Sequence, residues 1–145
     1  MKLKIKAIIN EKASTIYSVS PDNTVYDALK LMAEANIGAL LVKVNDRVVG
    51  IISERDYARK IILQQKSSPE TKVSEIMSSK ILTISPEQTV DEAMLMMTNK
   101  NIRHLPVIDE DDRLVGIVSI GDLVKTVIES QKQVIKHLEN YIKGN

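Results

Sequence analysis

Apolar positions along this chain change rhythm in a fixed order, and the order occurs twice. After Ser20-Pro21, the residues Val25, Ala28, Leu29 and Met32 follow helical spacing, with Thr24 as N-cap and Asn36 as a helix stop. Two short apolar runs come next, ALLVKV and VVGIIS, parted by Asn45-Asp46, which predicts a hairpin. The second passage starts at Ser85-Pro86 and runs through a helix from Thr89 to Asn101. It continues with the runs HLPVID and LVGIVS, parted by the polar stretch Glu110 to Arg113. A further helix begins after Ser53 in one passage and after Ser119 in the other, so each reads β-α-β-β-α.

The two passages are copies. VSPDNTVYDALKLMAEANIGALLV (19–42) lies over ISPEQTVDEAMLMMTNKNIRHLPV (84–107) without a gap, with Pro21 over Pro86 at a shift of 65 residues. One extra residue near Asp112 makes the shift 66, and RVVGIISERD (47–56) then lies over RLVGIVSIGD (113–122). The polar stretch 64–72, with Ser67-Ser68-Pro69, is the natural linker. The fold class expected is α/β (α+β). Two tandem β-α-β-β-α repeats, 1–65 and 66–128, are expected to pack face to face with pseudo-twofold symmetry, because half the chain alone buries little apolar surface. Residues 129–145 form a C-terminal helical extension.

Composition narrows the function. The 145 residues are 43% hydrophobic, enough for a core without staples. Twenty basic against nineteen acidic residues give a net charge of +1, which supplies no field for nucleic-acid phosphates. The absence of cysteine excludes disulfides, thiolate metal sites and a cysteine nucleophile, and two histidines are too few for most metal clusters. No apolar run approaches a membrane span, and MKLKIKAII lacks a signal-peptide core, so a cytoplasmic protein that binds neither membrane nor nucleic acid is expected. With four Tyr and no Phe or Trp, a bound base would lie mainly on aliphatic side chains and backbone.

The order strand, Pro, T-V-x-(D/E)-A helix, apolar strand, V-G-(I/V)-(I/V)-S-x-x-D, present twice from about Ile8 to Lys125, resembles the CBS (cystathionine-β-synthase) domain pair, or Bateman module. ISERDYARK and TKVSEIM look most like the small stand-alone members. The resemblance implies regulatory binding of an adenosine ligand (AMP, ADP, ATP, NAD or S-adenosylmethionine) in one or both clefts between paired repeats. It implies that Asp56 and Asp122 bind ribose hydroxyls while Ser53 and Ser119 approach ribose or phosphate. It also implies that the opposite repeat supplies the base pocket: Ser14, Thr15, Ile16, Ile37, Gly38 and Ala39 for the Asp122 cleft, and Lys80, Ile81, Ile102, Arg103 and His104 for the Asp56 cleft.

Each motif has a plainer reading beside it. S-x-x-D ahead of a helix is also a capping box, and the two roles are compatible. Arg103-His104 replaces Gly38-Ala39 of the first copy, so the two clefts differ in charge; these cations either meet a phosphate or complement a helix end. Arg55, at a helix start, is a second phosphate candidate, whereas Arg59 and Lys60 read as a solvated face. Met32, Met94, Met96 and Met97 read as packing, and His137 as surface. From Leu123 to Ile142 a helix far outruns its counterpart, which ends near Gln65. Its stripe Val124, Val127, Gln131, Val134, Leu138, Tyr141, flanked by Ile128, Ile135 and Ile142, is expected to pack on a second subunit.

The function expected is a regulatory, homodimeric adenosine-nucleotide-binding module acting on an effector protein that the sequence does not reveal. The alternative is a dimeric interaction module with degenerate clefts, in which S-x-x-D only caps helices. No P-loop, G-x-G-x-x-G, H-E-x-x-H or nucleophile motif is present, so no enzyme, no catalytic cofactor and no metal site is expected.

Overall fold

Hydroxyl caps start the two helices that the pattern predicts. In the computed structural model, which describes residues 3–11 and 16–144, helix α2 (Val25–Ala35) opens with Thr24 Oγ1 accepting from the Asp27 amide at 3.1 Å. Helix α5 (Val90–Lys100) opens with Thr89 Oγ1 accepting from the Glu92 amide at 3.1 Å. Both stop where an asparagine enters the left-handed region, Asn36 at φ 56° and Asn101 at φ 57°. Asparagine tolerates that conformation better than most residues, so each helix ends where the sequence says.

The apolar runs then pair as hairpins. Strand β2 (Ala39–Val44) lies antiparallel to β3 (Arg47–Ser53), and β4 (His104–Ile108) to β5 (Leu114–Ser119). A register shift falls between Val42 and Lys43 in one hairpin and between Val107 and Ile108 in the other, which are equivalent positions. The short strand expected before each proline is β1 (Ser18–Val19), parallel to β2; in the second copy it shrinks to a single parallel bridge from Ile84 to Val107. After the hairpins come α3 (Glu54–Tyr57), continued by a wider π-helical stretch over Ala58–Ile62, and α6 (Ile120–Ile142). The Met residues pack as expected: Met32 and Met97 are buried, and Met94 and Met96 lie against the core. His137 is exposed.

The compact units do not follow the order of the copies. One unit is formed by residues 15–82, the other by 1–14 together with 83–145. The compact units thus interleave the two sequence copies, and α6 runs on through 129 without a break. Each hairpin-and-helix layer is closed by a short segment that precedes a copy in sequence. Helix α1 (Ile5–Glu11) closes the unit of the second copy, and helix α4 (Val73–Ile76) closes that of the first.

The two closures match bond for bond. The Val90 amide donates to the Leu3 carbonyl and the Val25 amide to the Thr71 carbonyl, both at 2.8 Å. Ile5 N to Gln88 O (2.9 Å) corresponds to Val73 N to Asn23 O (2.8 Å), and Lys6 N to Pro86 O (2.9 Å) to Ser74 N to Pro21 O (3.1 Å). The stretch 64–72, which joins the copies, ends on an anchored residue: Thr71 is buried and its Oγ1 donates to the Ser67 carbonyl at 2.7 Å. Glycine lets these segments approach the hairpins. A Cβ at Gly50 would stand 2.7 Å from Met77 Sδ and 3.0 Å from the Ser78 carbonyl, and one at Gly116 3.3 Å from Ile9 Cγ1.

Two cores result. Ile5, Ile8, Val90, Ala93, Met97, Leu105, Val107, Val118 and Leu123 fill one; Val25, Ala28, Met32, Leu40, Val42, Ile52, Ile61, Val73 and Ile76 fill the other. Outside the first core, the Glu87 carboxylate lies 2.9 Å from Lys4 Nζ and 3.3 Å from Lys6 Nζ, and hydrogen bonds from Lys4 and then Lys6 hold its pKa below the usual 4.5. That contribution is present above the ordinary carboxylate range and fades as acid protonates Glu87; being exposed to solvent, it is a minor one. No helix among the described residues is long and apolar enough to cross a membrane.

The closing segments give a direct expectation. Ile5 and Ile76 are 0% and 1% exposed, so Ile5→Ala and Ile76→Ala should each lower the unfolding free energy by about 2 to 4 kcal/mol. Urea denaturation measures it. A loss below about 0.5 kcal/mol, the range of surface substitutions, would make the segments appendages instead of core.

Candidate functional site

The strand-to-helix corner after each hairpin is built by a serine and an aspartate three residues apart. At the first corner the Ser53 amide donates to Asp56 Oδ2 at 2.9 Å, the Ser53 hydroxyl donates to the same oxygen at 3.1 Å, and Ser53 Oγ accepts from the Asp56 amide at 3.2 Å. At the second corner the Ser119 amide donates to Asp122 Oδ2 at 2.9 Å and Ser119 Oγ accepts from the Asp122 amide at 3.1 Å. Both are complete capping boxes, as the plainer reading of the motif requires. Each holds an acceptor-only carboxylate, half-buried, at the positive end of a helix.

The hairpin brings the residue pair after the preceding helix beside the box of its own copy. Ala39 pairs in register with Ser53, and the Gly38 carbonyl accepts from the Glu54 amide at 3.0 Å. At the equivalent place His104 pairs with Ser119, and the Arg103 carbonyl accepts from the Ile120 amide at 2.8 Å. The corners differ because of what occupies these positions. A Cβ on Gly38 would lie 3.1 Å from Glu54 Oε1, so the glycine leaves room for that carboxylate. The second corner carries the exposed cation Arg103 instead.

Of the residues singled out in the sequence, Ile16, Ile37, Gly38, Ala39, Ser53, Arg55, Asp56, Lys80 and Ile81 fall in the unit 15–82. Ile102, Arg103, His104, Ser119 and Asp122 fall in the other. Within the units, Gly38 and Ala39 meet Ser53, and Arg103 and His104 meet Ser119. Arg55 and Lys80 are exposed, and Ile16 and Ile81 half-buried. Ser14 and Thr15 lie outside the described residues.

One residue was misread in the sequence. Lys60, expected on a solvated face, is half-buried, with Nζ 3.3 Å from Asp56 Oδ1 and donating to the Ile76 carbonyl at 2.8 Å. It clamps the free side of the Asp56 carboxylate and ties the corner to the closing helix α4. The spacing Asp56 to Lys60, four residues along a helix, was the available signal. In the second copy Thr126 takes this position, and its hydroxyl donates to the Asp122 carbonyl at 2.9 Å. The residue four positions on thus differs between the corners: an ammonium on the carboxylate at one, a hydroxyl on the backbone carbonyl at the other. What both corners offer is a fixed carboxylate that can accept from neighbouring hydroxyls.

The chain is similar to known proteins in sequence and in fold. The CBS domain pattern matches residues 7–63 and 73–129. The mitochondrial CBS domain-containing protein CBSX3 of Arabidopsis thaliana is 48% identical over 128 residues, covering 85% of this chain, which spans 62% of the length of that relative. A solved CBS-domain protein from Burkholderia ambifaria MC40-6 is 50% identical, with a TM-score of 0.85 over 88% of this chain and 96% of its own. The CBS domain pair of protein MJ0100, solved in complex with 5′-methylthioadenosine and S-adenosyl-L-methionine, is 25% identical, with a TM-score of 0.78 over 90% of this chain and 99% of its own. With both copies matched and both corner motifs built alike, this chain belongs to the CBS domain family, as a tandem pair of CBS domains.

Proposed function

We propose that the chain is a regulatory, non-catalytic module that binds an adenosine nucleotide of the AMP, ADP, ATP or NAD class. Asp56 or Asp122 accepts from the ribose hydroxyls, and the residues of the opposite repeat provide the base side. The observation that carries the reading is the pair of fixed, half-buried carboxylates at equivalent corners, each held by a serine at a helix start. A vicinal diol presents two donors, and an acceptor-only carboxylate is its natural complement. The adenosine derivatives in the MJ0100 complex support the ligand class. We also read the protein as a homodimer that passes ligand occupancy to an effector protein.

Asp122 is the candidate to test first, since Gly38 of the opposite repeat is small enough to admit a ligand closely. Arg103, on the second copy, and Arg55, at the start of α3, are the candidates for the phosphate tail that separates the nucleotides from one another. The competing reading, an interaction module whose corners only cap helices, is separated by substitutions that keep the cap. Asparagine retains an oxygen for the serine amide and loses the charge.

Ligand at a hundred times its dissociation constant should stabilise the protein by about 2.7 kcal/mol, a rise in melting temperature of about 5 to 10 °C at this size. In a thermal-shift series with AMP, ADP, ATP, NAD and S-adenosylmethionine, Asp122→Asn should weaken binding about tenfold or more, the worth of one charge-assisted hydrogen bond. The melting temperature without ligand should stay near that of the parent. Affinity unchanged in both Asp122→Asn and Asp56→Asn would favour the interaction module. A second expectation follows from the clamp: Lys60→Thr, which frees Asp56 Oδ1 of the ammonium, should tighten nucleotide binding at Asp56. Weaker binding in that variant would show that Lys60 serves the ligand and does not compete with it.

A further inference from the structure

Among the described residues, the C-terminal half of α6 belongs to neither core. Leu123 is buried in the core and Val127 packs at its edge, but every residue from 131 to 144 is exposed. That stretch carries Val134, Ile135, Leu138, Tyr141 and Ile142, the last two more than 80% exposed, while Val124 and Ile128 lie open on the near half. A free helical stretch of about a dozen residues does not hold itself in water. The seven open side chains present on the order of 700 Å², close to the roughly 800 Å² that each partner contributes to a specific protein interface.

The stripe is symmetric about one polar residue. Counting outward from Gln131, Ile128 faces Val134 at three residues, Val127 faces Ile135 at four, Val124 faces Leu138 at seven, and Ile120 faces Ile142 at eleven. Any regular apolar stripe has some of this symmetry; a lone glutamine at its centre is an additional feature. Such a residue on a seam sets register and orientation when it meets its own copy.

We propose that α6 pairs with α6 of a second copy in antiparallel orientation, with Gln131 on the dyad, so that the open half of each helix lies along the near half of the other. This rests on the homodimer reading above and adds the surface, the direction and the register. Direction is decided by cover. The stripe is three columns wide: Val124, Gln131 and Leu138; Val127, Val134 and Tyr141; Ile128, Ile135 and Ile142. A parallel two-stranded seam buries two columns and sets the open halves only against each other, leaving the third column wet. In the antiparallel pair each open half runs beside the partner's near half, and with it beside the partner's folded unit, so all three columns have cover. Opposed helix directions also set unlike dipole ends side by side.

Because the chain has no cysteine, single thiols can be placed at will. Val124→Cys and Leu138→Cys are made separately in the full chain with tags of different mass. They are treated with a thiol crosslinker that spans the roughly 8 to 10 Å between packed helices, both alone and after mixing and exchange, with sedimentation run in parallel. In the antiparallel pair, residue 124 of one copy meets 138 of the other, whereas two copies of residue 124 are about 21 Å apart. The expected result is a dimer at micromolar concentration whose mixed product exceeds either self-linked product several-fold. Self-linked Val124→Cys or Leu138→Cys in excess would overturn the direction. A dimer that links in no combination would overturn the α6 surface while leaving the homodimer reading intact, and a monomer would remove both.

Discussion

Burial of Ile5 and Ile8 under the second repeat, and of Val73 and Ile76 under the first, is the constraint on which the fold depends. A hairpin with one helix is a two-layer piece with an open edge, and at some sixty residues such a piece buries too little apolar surface to be secure. Here each piece is closed by a segment that comes before a repeat in the chain. The three backbone hydrogen bonds that seat residues 3–6 recur in those that seat residues 71–74. Gly50 and Gly116 stand under the two segments, where a side chain would collide or crowd. Folding of either unit therefore waits on a short helix whose own propensity is weak, and tertiary packing decides that it forms.

The same closure reaches the corners where a ligand is proposed. Lys60 holds the Ile76 carbonyl with one bond and the Asp56 carboxylate with another contact, so α4 and the first corner are mechanically joined. At the second corner Thr126 holds the equivalent position and turns its hydroxyl to the backbone. The capping function does not compete with the proposed ligand. Each box fixes the carboxylate before any ligand arrives, and preorganisation lowers the cost of binding.

Much of the fold was legible because its signals are local. Thr24 and Thr89 as caps, Asn36 and Asn101 as stops, the two hairpins and the long last helix all follow from short-range chemistry and are found where the pattern puts them. What the sequence hid is long-range. Residues 3–9 and 71–77 are too short to carry a periodic signal, and the apolar residues that reveal their role, Ile5, Ile8, Val73 and Ile76, acquire meaning only from partners on other elements. The polar run 64–72 looked like a linker because Ser67-Ser68-Pro69 dominates it, although Thr71 at its end is buried. The corner residues Ser53, Asp56, Ser119 and Asp122 were legible through their repetition. The Lys60 clamp was passed over because a cation beside Arg59 resembles an ordinary wet helix face.

The account turns on whether the aspartate corners meet adenosine in solution, and an amide NMR titration with AMP asks this of each corner separately. The account predicts saturable shifts at Ser119 and Asp122, or at Ser53 and Asp56, that are lost when the nucleotide lacks both ribose hydroxyls. Amides of both corners that stay still at millimolar AMP, or that respond equally to the dideoxy nucleotide, would contradict it.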